Sequence, residues 1–285
     1  MPYGFIRHIE NKGYSSETIR SYEKVIGQFF FYIKNTYPDN KEPFQISPLD
    51  IKNYLEEQLE KGKSITTINK ELAIIKTMFN YFWEIDRVPV DPAVKIKRYK
   101  NHEKLKLDVN YSQITELLHC TLQHDEYSSL RKAIFLLAAK GLKTADFRFK
   151  KEDVTVLHDA RSVEIILKTR SIHLEGDEAA CFLEYFHECL TNGSEFVFIT
   201  TPRGEEKGGP IQVMSILIHL RAISNDFLAN SVPLTLIAIR RALAFELYQK
   251  RYSIQMIARE LGIEENSASN YLKNITEALY LQKLL

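Results

Sequence analysis

Apolar residues recur at helical spacing through most of the first ninety residues of this 285-residue chain, and this pattern constrains the fold more than any other feature. One run follows Ser16, a second follows Ser47, and a third extends from Ile65 to about Trp83. Pro89 then ends the pattern, because proline lacks the backbone N–H that a helix interior needs. The spacing predicts a helical bundle at the N-terminus.

The chain changes character at Val94. Basic residues crowd residues 94–106 with little periodicity, which predicts an exposed linker between an N-terminal domain, residues 1–93, and a C-terminal domain, residues 107–285. The fold class predicted is mainly α, with a small β-sheet in the second domain, because short β-like segments interrupt its helices. The segments are helices at 111–118, 130–139, 177–190, 212–222, 234–250 and 254–261, and strands at 154–157, 162–167, 170–174 and 196–199, of which 162–167 and 170–174 are close enough for a hairpin.

Composition excludes several classes of protein. A hydrophobic share of 45% with 26% charged residues is that of a globular chain. No apolar run approaches the roughly 20 residues of a membrane span, and no signal-peptide pattern opens the chain, so we expect no membrane partner and a cytoplasmic location. Cys120, Cys181 and Cys189 lack metal-ligand spacing, which predicts buried free thiols; neither a metal nor a cofactor is expected.

The net charge of +1 conceals an asymmetry along the chain. Through Lys106 there are 18 basic and 14 acidic residues, and beyond it 20 basic and 23 acidic. A mildly basic first half suits a polyanionic partner, although the position of each charge matters more than the sum.

Two segments of the first domain resemble the core-binding domain of tyrosine recombinases and phage integrases. They are Ser15–Tyr22 (SSETIRSY) and Ser64–Leu72 (SITTINKEL), the latter followed by the aromatic run Phe79–Trp83. The resemblance implies a two-domain C-clamp, in which a helical core-binding bundle and an α+β catalytic-like domain hold duplex DNA. A solvated surface without a partner is the alternative for the implied contact residues. These are Arg20, Lys24, Thr66, Thr67, Lys70 and Lys76 in the domain and Lys97 and Arg98 in the linker.

The resemblance continues into the second domain, where active members attack a DNA phosphate with a tyrosine. Such chemistry needs cations on the developing charge and groups that move protons. Gly141-Leu142-Lys143 carries a lysine where the family has arginine, so the bidentate fork is lost. Lys168, in the hairpin motif Lys168–Leu174, matches the family lysine.

The last motifs lie near the C-terminus. Arg240 matches the second family arginine, but Ile237 stands where the family has a histidine. In Leu261-Gly262-Ile263, Ile263 replaces a second histidine, and isoleucine neither transfers a proton nor forms a hydrogen bond from its side chain. Tyr271 lies near the position of the nucleophile, one residue closer to Gly262 than the family pattern requires.

These substitutions predict a vestigial site in a protein that is not an enzyme, while the remaining cations still form a surface for DNA phosphates. We therefore expect sequence-specific binding to double-stranded operator sites and a role in transcription regulation. The chain is similar in kind to the recombinase-like master repressors of SPbeta-type temperate phages, which implies repression of lysis–lysogeny genes. The cations of this surface are Lys143, Lys168, Arg240 and Arg241.

Three alternatives stay open. An active site-specific recombinase would use Tyr271 as its nucleophile. A helix-turn-helix regulator would use residues 254–275 as its DNA-contacting motif, because Gly262 falls at the turn; its contacts would be Ser267, Ser269, Asn270 and Lys273. A protein-interaction module would bind no DNA. A second copy could dock through the C-terminal helix, and a regulatory protein or peptide partner is not identified by the sequence.

Overall fold

The fold is seen in a computed structural model, which describes residues 2–37, 41–100, 110–157, 161–200, 208–228 and 233–283. The chain divides into two compact units, Met1–Glu103 and Lys104–Leu285. The division falls within residues 94–106, the predicted linker, of which 101–106 lie outside the described residues.

The described residues of the first unit contain four α-helices: α1 (Phe5–Asn11), α2 (Ser16–Thr36), α3 (Pro48–Glu60) and α4 (Ile65–Glu84). The three longer helices begin where the sequence predicts, because a serine side chain caps each one. Ser15 accepts a hydrogen bond from the Thr18 amide at 3.2 Å, and Ser64 accepts one from the Thr67 amide at 3.3 Å. The short helix α1 is an addition that the periodicity did not predict.

Aromatic rings fill the core of this unit. The Phe29 ring packs edge-on against those of Tyr54 and Phe79, with centroids 5.2 and 6.2 Å apart. Tyr54 donates to the buried Glu71 carboxylate at 3.0 Å, and Lys63 pairs with the same carboxylate at 2.5 Å. The buried charge is therefore partnered, as a stable core requires.

Residues 94–100, which the sequence assigned to the linker, pack against the first unit. Ile96 is buried in its core. The Asn69 side chain donates to the Tyr99 carbonyl and accepts from the Tyr99 amide, both at 2.9 Å. Periodicity did not reveal this because the segment is held by one apolar anchor and side-chain hydrogen bonds, without regular secondary structure.

The second unit combines seven helices with a three-stranded antiparallel sheet in the order β1-β2-β3, among its described residues. In the β2–β3 hairpin, Val163 pairs with Leu174 and Ile165 with Ile172, so both apolar pairs face the core. The elements are α5 (Tyr111–Leu122), α6 (Ser129–Ala139), β1 (Val154–Val156), β2 (Ser162–Ile166), β3 (Ser171–Glu175), α7 (Gly176–Cys189), α8 (Val213–Phe227), α9 (Leu236–Gln249), α10 (Ile254–Leu261) and α11 (Glu265–Lys283).

Helix α6 is the centre of this unit. All residues from Ala133 to Ala139 are buried, so the helix is apolar on every side, and it contacts α5, α7, α8 and α9. A smaller core joins α9, α10 and α11 through Ala244, Ile257 and Leu272. The fold class predicted from the sequence is therefore confirmed.

Two local predictions are wrong. Among the described residues, the strand predicted at 196–199 forms only two isolated bridges, Lys150 with Phe196 and Ile199 with Pro210, because its pairing is divided between two segments. Cys120 is exposed on α5, whereas Cys181 and Cys189 are buried as free thiols. Burial raises the pKa of the Cys181 thiol to about 11.

No described helix combines the length and the apolar character that crossing a membrane would require.

Candidate nucleic-acid interface

Two helix ends in the second unit form the frame of the site. After α6, the amide of Gly141 bonds the Ala138 carbonyl at 2.8 Å and that of Leu142 bonds the Leu137 carbonyl at 3.2 Å. After α10, Gly262 and the residue that follows it close the helix in the same way. Gly141 and Gly262 have φ of +80° and +61°, the left-handed conformation that such an ending needs.

Arg240 on α9 joins these two helix ends. Its guanidinium donates one hydrogen bond to the Gly141 carbonyl and another to the Leu261 carbonyl, the latter at 3.0 Å. The side chain is only 7% exposed. A cation is favourable here because the carbonyl end of a helix carries partial negative charge. Arg240 therefore holds the site together from inside, and its predicted contact with DNA remains a prediction.

Lys143 lies two residues beyond Gly141, at the edge of the site. Its backbone amide donates to the Asp146 carboxylate at 3.1 Å, and its ammonium lies 3.8 Å from the other oxygen of that carboxylate. The Lys143 side chain is 42% exposed, so the ammonium remains accessible to a second anion.

The β2–β3 hairpin brings two further cations to the same place. Lys168 is exposed at its turn. Arg170 donates from Nη2 to the Lys140 carbonyl at 2.9 Å, and Thr169 donates to the Gly262 carbonyl at 3.4 Å. Burial lowers the pKa of Arg170 to about 10; the neighbouring Asp146 opposes this shift and Arg240 adds to it. Lys168 and Lys143 thus lie on two turns that Arg170 connects.

Tyr271 on α11 lies against α9. Its hydroxyl donates to the Ile237 carbonyl at 3.3 Å. Burial raises the pKa of the phenol, while the nearby guanidiniums of Arg240 and Arg241 lower it. The phenol is therefore close to two cations, which is a suitable environment for an anion or for a phenolate.

The two isoleucines differ in their surroundings. Ile237 is 58% exposed, so its hydrocarbon side chain lies at the surface next to the Tyr271 contact. Ile263 is half-buried and packs against the core of α9, α10 and α11. Neither side chain can donate or accept a proton.

The predicted contact residues of the first unit separate into an exposed set and one that is engaged internally. A groove of about 450 Å³ lies between the N-terminal parts of α2 and α4, with Thr18, Ser21 and Lys70 in its walls. Lys76, by contrast, donates to the Val94 carbonyl at 3.1 Å and is half-buried, so it holds residues 94–100 in place. The exposed members are Arg20, Lys24, Thr66, Thr67, Lys70, Lys97 and Arg98.

The helix-turn-helix alternative has its two helices in place, since α10 and α11 are in contact and joined at Gly262. Ser267, Ser269, Asn270 and Lys273 are exposed on α11. Whether they contact DNA stays a prediction. In the parts of the chain that the structure describes, no three His, Cys, Asp or Glu side chains gather as a metal site.

Arg170 and Asp146 were not among the site residues predicted from the sequence. Arg170 lies inside the hairpin motif that drew attention to Lys168, and it is the first residue of the strand predicted at 170–174. Its importance depends on a hydrogen bond to a residue 30 positions earlier in the chain, which no local pattern records. Asp146 carries a weak signal, because a carboxylate three residues after Lys143 can accept from its backbone amide.

Comparisons with known proteins agree with this architecture. Residues 3–87 match the family model "Phage integrase, N-terminal SAM-like domain". The putative tyrosine recombinase TTE1313 of Caldanaerobacter subterraneus subsp. tengcongensis is 26% identical over 273 residues, covering 94% of this chain and 91% of that protein. Tyrosine recombinase XerC of Thermodesulfovibrio yellowstonii is 35% identical over 100 residues, 33% of this chain and 31% of that protein. The chain is thus similar to tyrosine recombinases along most of its length and to phage integrases over residues 3–87.

Solved structures show the same fold at low sequence identity. The Tn1549 transposon integrase in complex with a circular intermediate DNA superposes with a TM-score of 0.68 at 15% identity, covering 93% of this chain and 92% of that one. A lambda integrase dimer bound to a COC′ core site gives 0.65 at 17% identity, with 94% and 92% covered.

The prediction that the chain is not an enzyme is contradicted by these findings. The similar proteins are tyrosine recombinases, which are enzymes. Replacement of side chains at Lys143, Ile237 and Ile263 does not show that this member has lost activity. The tertiary structure also adds a half-buried arginine, Arg170, to the cations of the site.

Proposed function

We propose that this chain binds double-stranded DNA through residues of both units. The observation that carries the proposal is the group of cations in the second unit. Three segments that are distant in sequence, the turn after α6, the β2–β3 hairpin and α9, carry Lys143, Lys168 and Arg241 around the buried Arg240. We name these three residues the basic group. Cations gathered from separate elements are suited to phosphate oxygens, because phosphates dominate the affinity of proteins for DNA.

The first unit would supply a second contact surface at the N-terminal parts of α2 and α4. Both helices present backbone amides and hydroxyls at their capped starts, together with Lys70 and Arg20. Helix N-termini favour phosphate oxygens through their partial positive charge. Residues 3–87, which include both helices, match the family model of the phage integrase N-terminal domain.

A titration of a fluorescent duplex at several salt concentrations tests this function. We expect affinity to fall steeply with salt, with a slope of log K against log salt of about −0.9 for each phosphate contact. Binding with a slope near zero, or no binding at low salt, would contradict the proposal. Pull-down and sequencing of bound genomic fragments would supply the site.

We propose further that binding to operator sites regulates transcription, as in a phage or prophage repressor. The support is that binding alone suffices for occlusion of polymerase, and that Ile237 places hydrocarbon at the surface beside Tyr271. Regulation through binding neither requires nor excludes strand cleavage. A reporter gene under the recovered operator should be repressed when the chain is expressed, and should stay repressed with Tyr271→Phe.

Strand cleavage by Tyr271 is the second candidate, and one observation favours it. Arg240 and Arg241 both oppose the rise in the Tyr271 pKa that burial causes, which eases ionisation of the phenol. A nicked suicide duplex should then trap a covalent adduct that Tyr271→Phe abolishes. Absence of an adduct with a duplex that is bound would contradict cleavage while leaving DNA binding intact.

Association with a second copy through the C-terminal residues 276–285 is a proposal as well. Light scattering with and without duplex would give the stoichiometry, and a monomer on one half-site would contradict it. A cytoplasmic location agrees with a DNA partner.

A further inference from the structure

Arg170 is a half-buried cation that bonds to the protein itself. Its Nη2 donates to the Lys140 carbonyl at 2.9 Å, just beyond the end of α6. Its Nε is enclosed and has no hydrogen-bond partner among the described residues. An enclosed N–H without a partner costs free energy, so the side chain is not there for core stability alone.

Arg170 and Thr169 lie close to two glycines, Gly262 and Gly141, that have no side chain to separate them from the hairpin turn. A Cβ added at Gly262 would lie 3.4 Å from the Arg170 Cδ, 3.5 Å from its Nε and 2.6 Å from the Thr169 hydroxyl. A Cβ at Gly141 would lie 3.8 Å from its Nη2. The two glycines that end α6 and α10 therefore also let the hairpin turn approach both helix ends.

Lys168 has the opposite character. It is exposed at the turn of the hairpin, where the Leu167 amide bonds the Arg170 carbonyl at 2.8 Å. The two residues that follow Lys168 are both anchored, Thr169 to the Gly262 carbonyl and Arg170 to the Lys140 carbonyl. The flexible side chain of Lys168 therefore lies on a turn whose following residues are fixed by tertiary hydrogen bonds.

We propose that Arg170 is a positioning residue that fixes the hairpin turn against the ends of α6 and α10, so that Lys168 is held beside the turn of Lys143 for contact with DNA phosphate. A lysine at position 170 has one donor group on a flexible stem and would anchor the turn less firmly. The proposal rests on DNA binding by the basic group. It assigns Arg170 no contact with DNA, because its contacts are with the protein.

A double-mutant cycle on the full chain tests this role, with the dissociation constant of a 30-base-pair duplex as the readout. Lys168→Met should weaken binding of the otherwise unaltered chain about fivefold. In the Arg170→Met background the same change should weaken it less than about twofold, because Lys168 is no longer held in place. For Arg170→Met, the slope of log K against log salt should be less steep by about 0.9, which corresponds to the loss of one phosphate contact.

A structural role without positioning gives another result. Lys168→Met would then cost the same factor in both backgrounds, and this outcome overturns the proposal. Arg170→Lys keeps the charge and one donor, so in that background Lys168→Met should weaken binding by an intermediate factor, between about twofold and fivefold. If Arg170→Met fails to fold, this reduced factor in the Arg170→Lys background is the test. Arg221→Met, which removes an exposed arginine on α8, should leave the coupling unchanged.

Failure of the proposed function is visible separately. If the unaltered chain does not bind the duplex, both the function and the role of Arg170 are overturned. If it binds, but Lys168→Met has no effect in either background, DNA binding stands and the positioning role is overturned.

Discussion

Arg240 occupies two of its guanidinium nitrogens inside the protein. They bond the Gly141 and Leu261 carbonyls, and the residue is almost fully buried. From sequence, Arg240 is a candidate for contact with DNA. In the structure it first joins the ends of α6 and α10, so its loss affects folding as well as any binding.

Replacement of Arg240 by methionine should lower the free energy of unfolding by about 3 kcal/mol, because two buried carbonyls lose a charged donor. Urea unfolding followed by circular dichroism measures this. Arg241→Met is the matched control: Arg241 is its half-buried neighbour, and its loss should cost under about 1 kcal/mol. Equal losses in the two variants would contradict the bridging role of Arg240.

His219 predicts a pH dependence of stability. Burial lowers the pKa of His219 below its usual 6.5, and the Arg131 cation lowers it further. At a pH near 6 the unfolded chain therefore binds a proton at His219 more readily than the folded chain does. Because of this difference, the free energy of unfolding should fall as the pH drops through and below about 6.5.

His219→Gln should reduce this loss, measured as the difference in urea midpoint between pH 7.5 and pH 5.5. The control is His187→Gln, which alters an exposed histidine on α7 and should keep the full pH effect. An unchanged pH profile in His219→Gln would show that another group titrates.

At the scale of elements, two glycines differ in whether their positions tolerate a side chain. Gly262 ends α10 with φ of +61°, and an added Cβ would lie 2.6 Å from the Thr169 hydroxyl. Gly27 lies in the middle of α2, where an added Cβ meets nothing within 4 Å. The same substitution should therefore have opposite signs at the two positions.

Gly262→Ala should lower the free energy of unfolding by about 1–2 kcal/mol through backbone strain and crowding. Gly27→Ala should raise it by about 0.5–1 kcal/mol, because glycine is a poor residue in a helix interior. Chemical denaturation of both variants side by side measures the pair. A stabilising Gly262→Ala would mean that the turn after α10 does not need a left-handed residue.

Trp83 on α4 is the single tryptophan of the chain, so its fluorescence reports the unfolding of the first unit. Phe29 is fully buried between Tyr54 and Phe79. Phe29→Ala should cost about 3–5 kcal/mol and move the Trp83 fluorescence transition to lower urea. Phe31→Ala on the same helix, at a side chain 67% exposed, should move it little; similar shifts in both would contradict the assigned core.

At the scale of the whole molecule, both units should contact the same DNA. Lys70→Met in the first unit and Lys168→Met in the second should each reduce the salt slope of binding by about 0.9, and the double variant by about 1.8. Lys250→Met serves as control, because Lys250 is exposed and paired with Glu246 at 3.1 Å. An effect in only one unit would restrict the DNA interface to that unit.

Much of the architecture could be predicted from the sequence. Helical periodicity located α2, α3 and α4, and the closeness of two β-like segments predicted the β2–β3 hairpin. Periodicity gave wrong predictions for segments without regular secondary structure. Residues 94–100 pack through Ile96 and through the hydrogen bonds of Asn69 to Tyr99, and residues 196–199 form isolated bridges.

The candidate site divides in the same way. Sequence motifs identified Lys143, Lys168, Arg240, Arg241 and Tyr271, but they led to the wrong expectation that the chain is not an enzyme. By itself the sequence determined which elements form and which side chains they carry, because propensity, capping and periodicity act over a few residues. Only the tertiary structure decided that Arg240 bonds two helix ends, that Lys76 serves the fold and that Arg170 joins two turns. Those roles depend on hydrogen bonds between residues 18 to 99 positions apart, which no local pattern encodes.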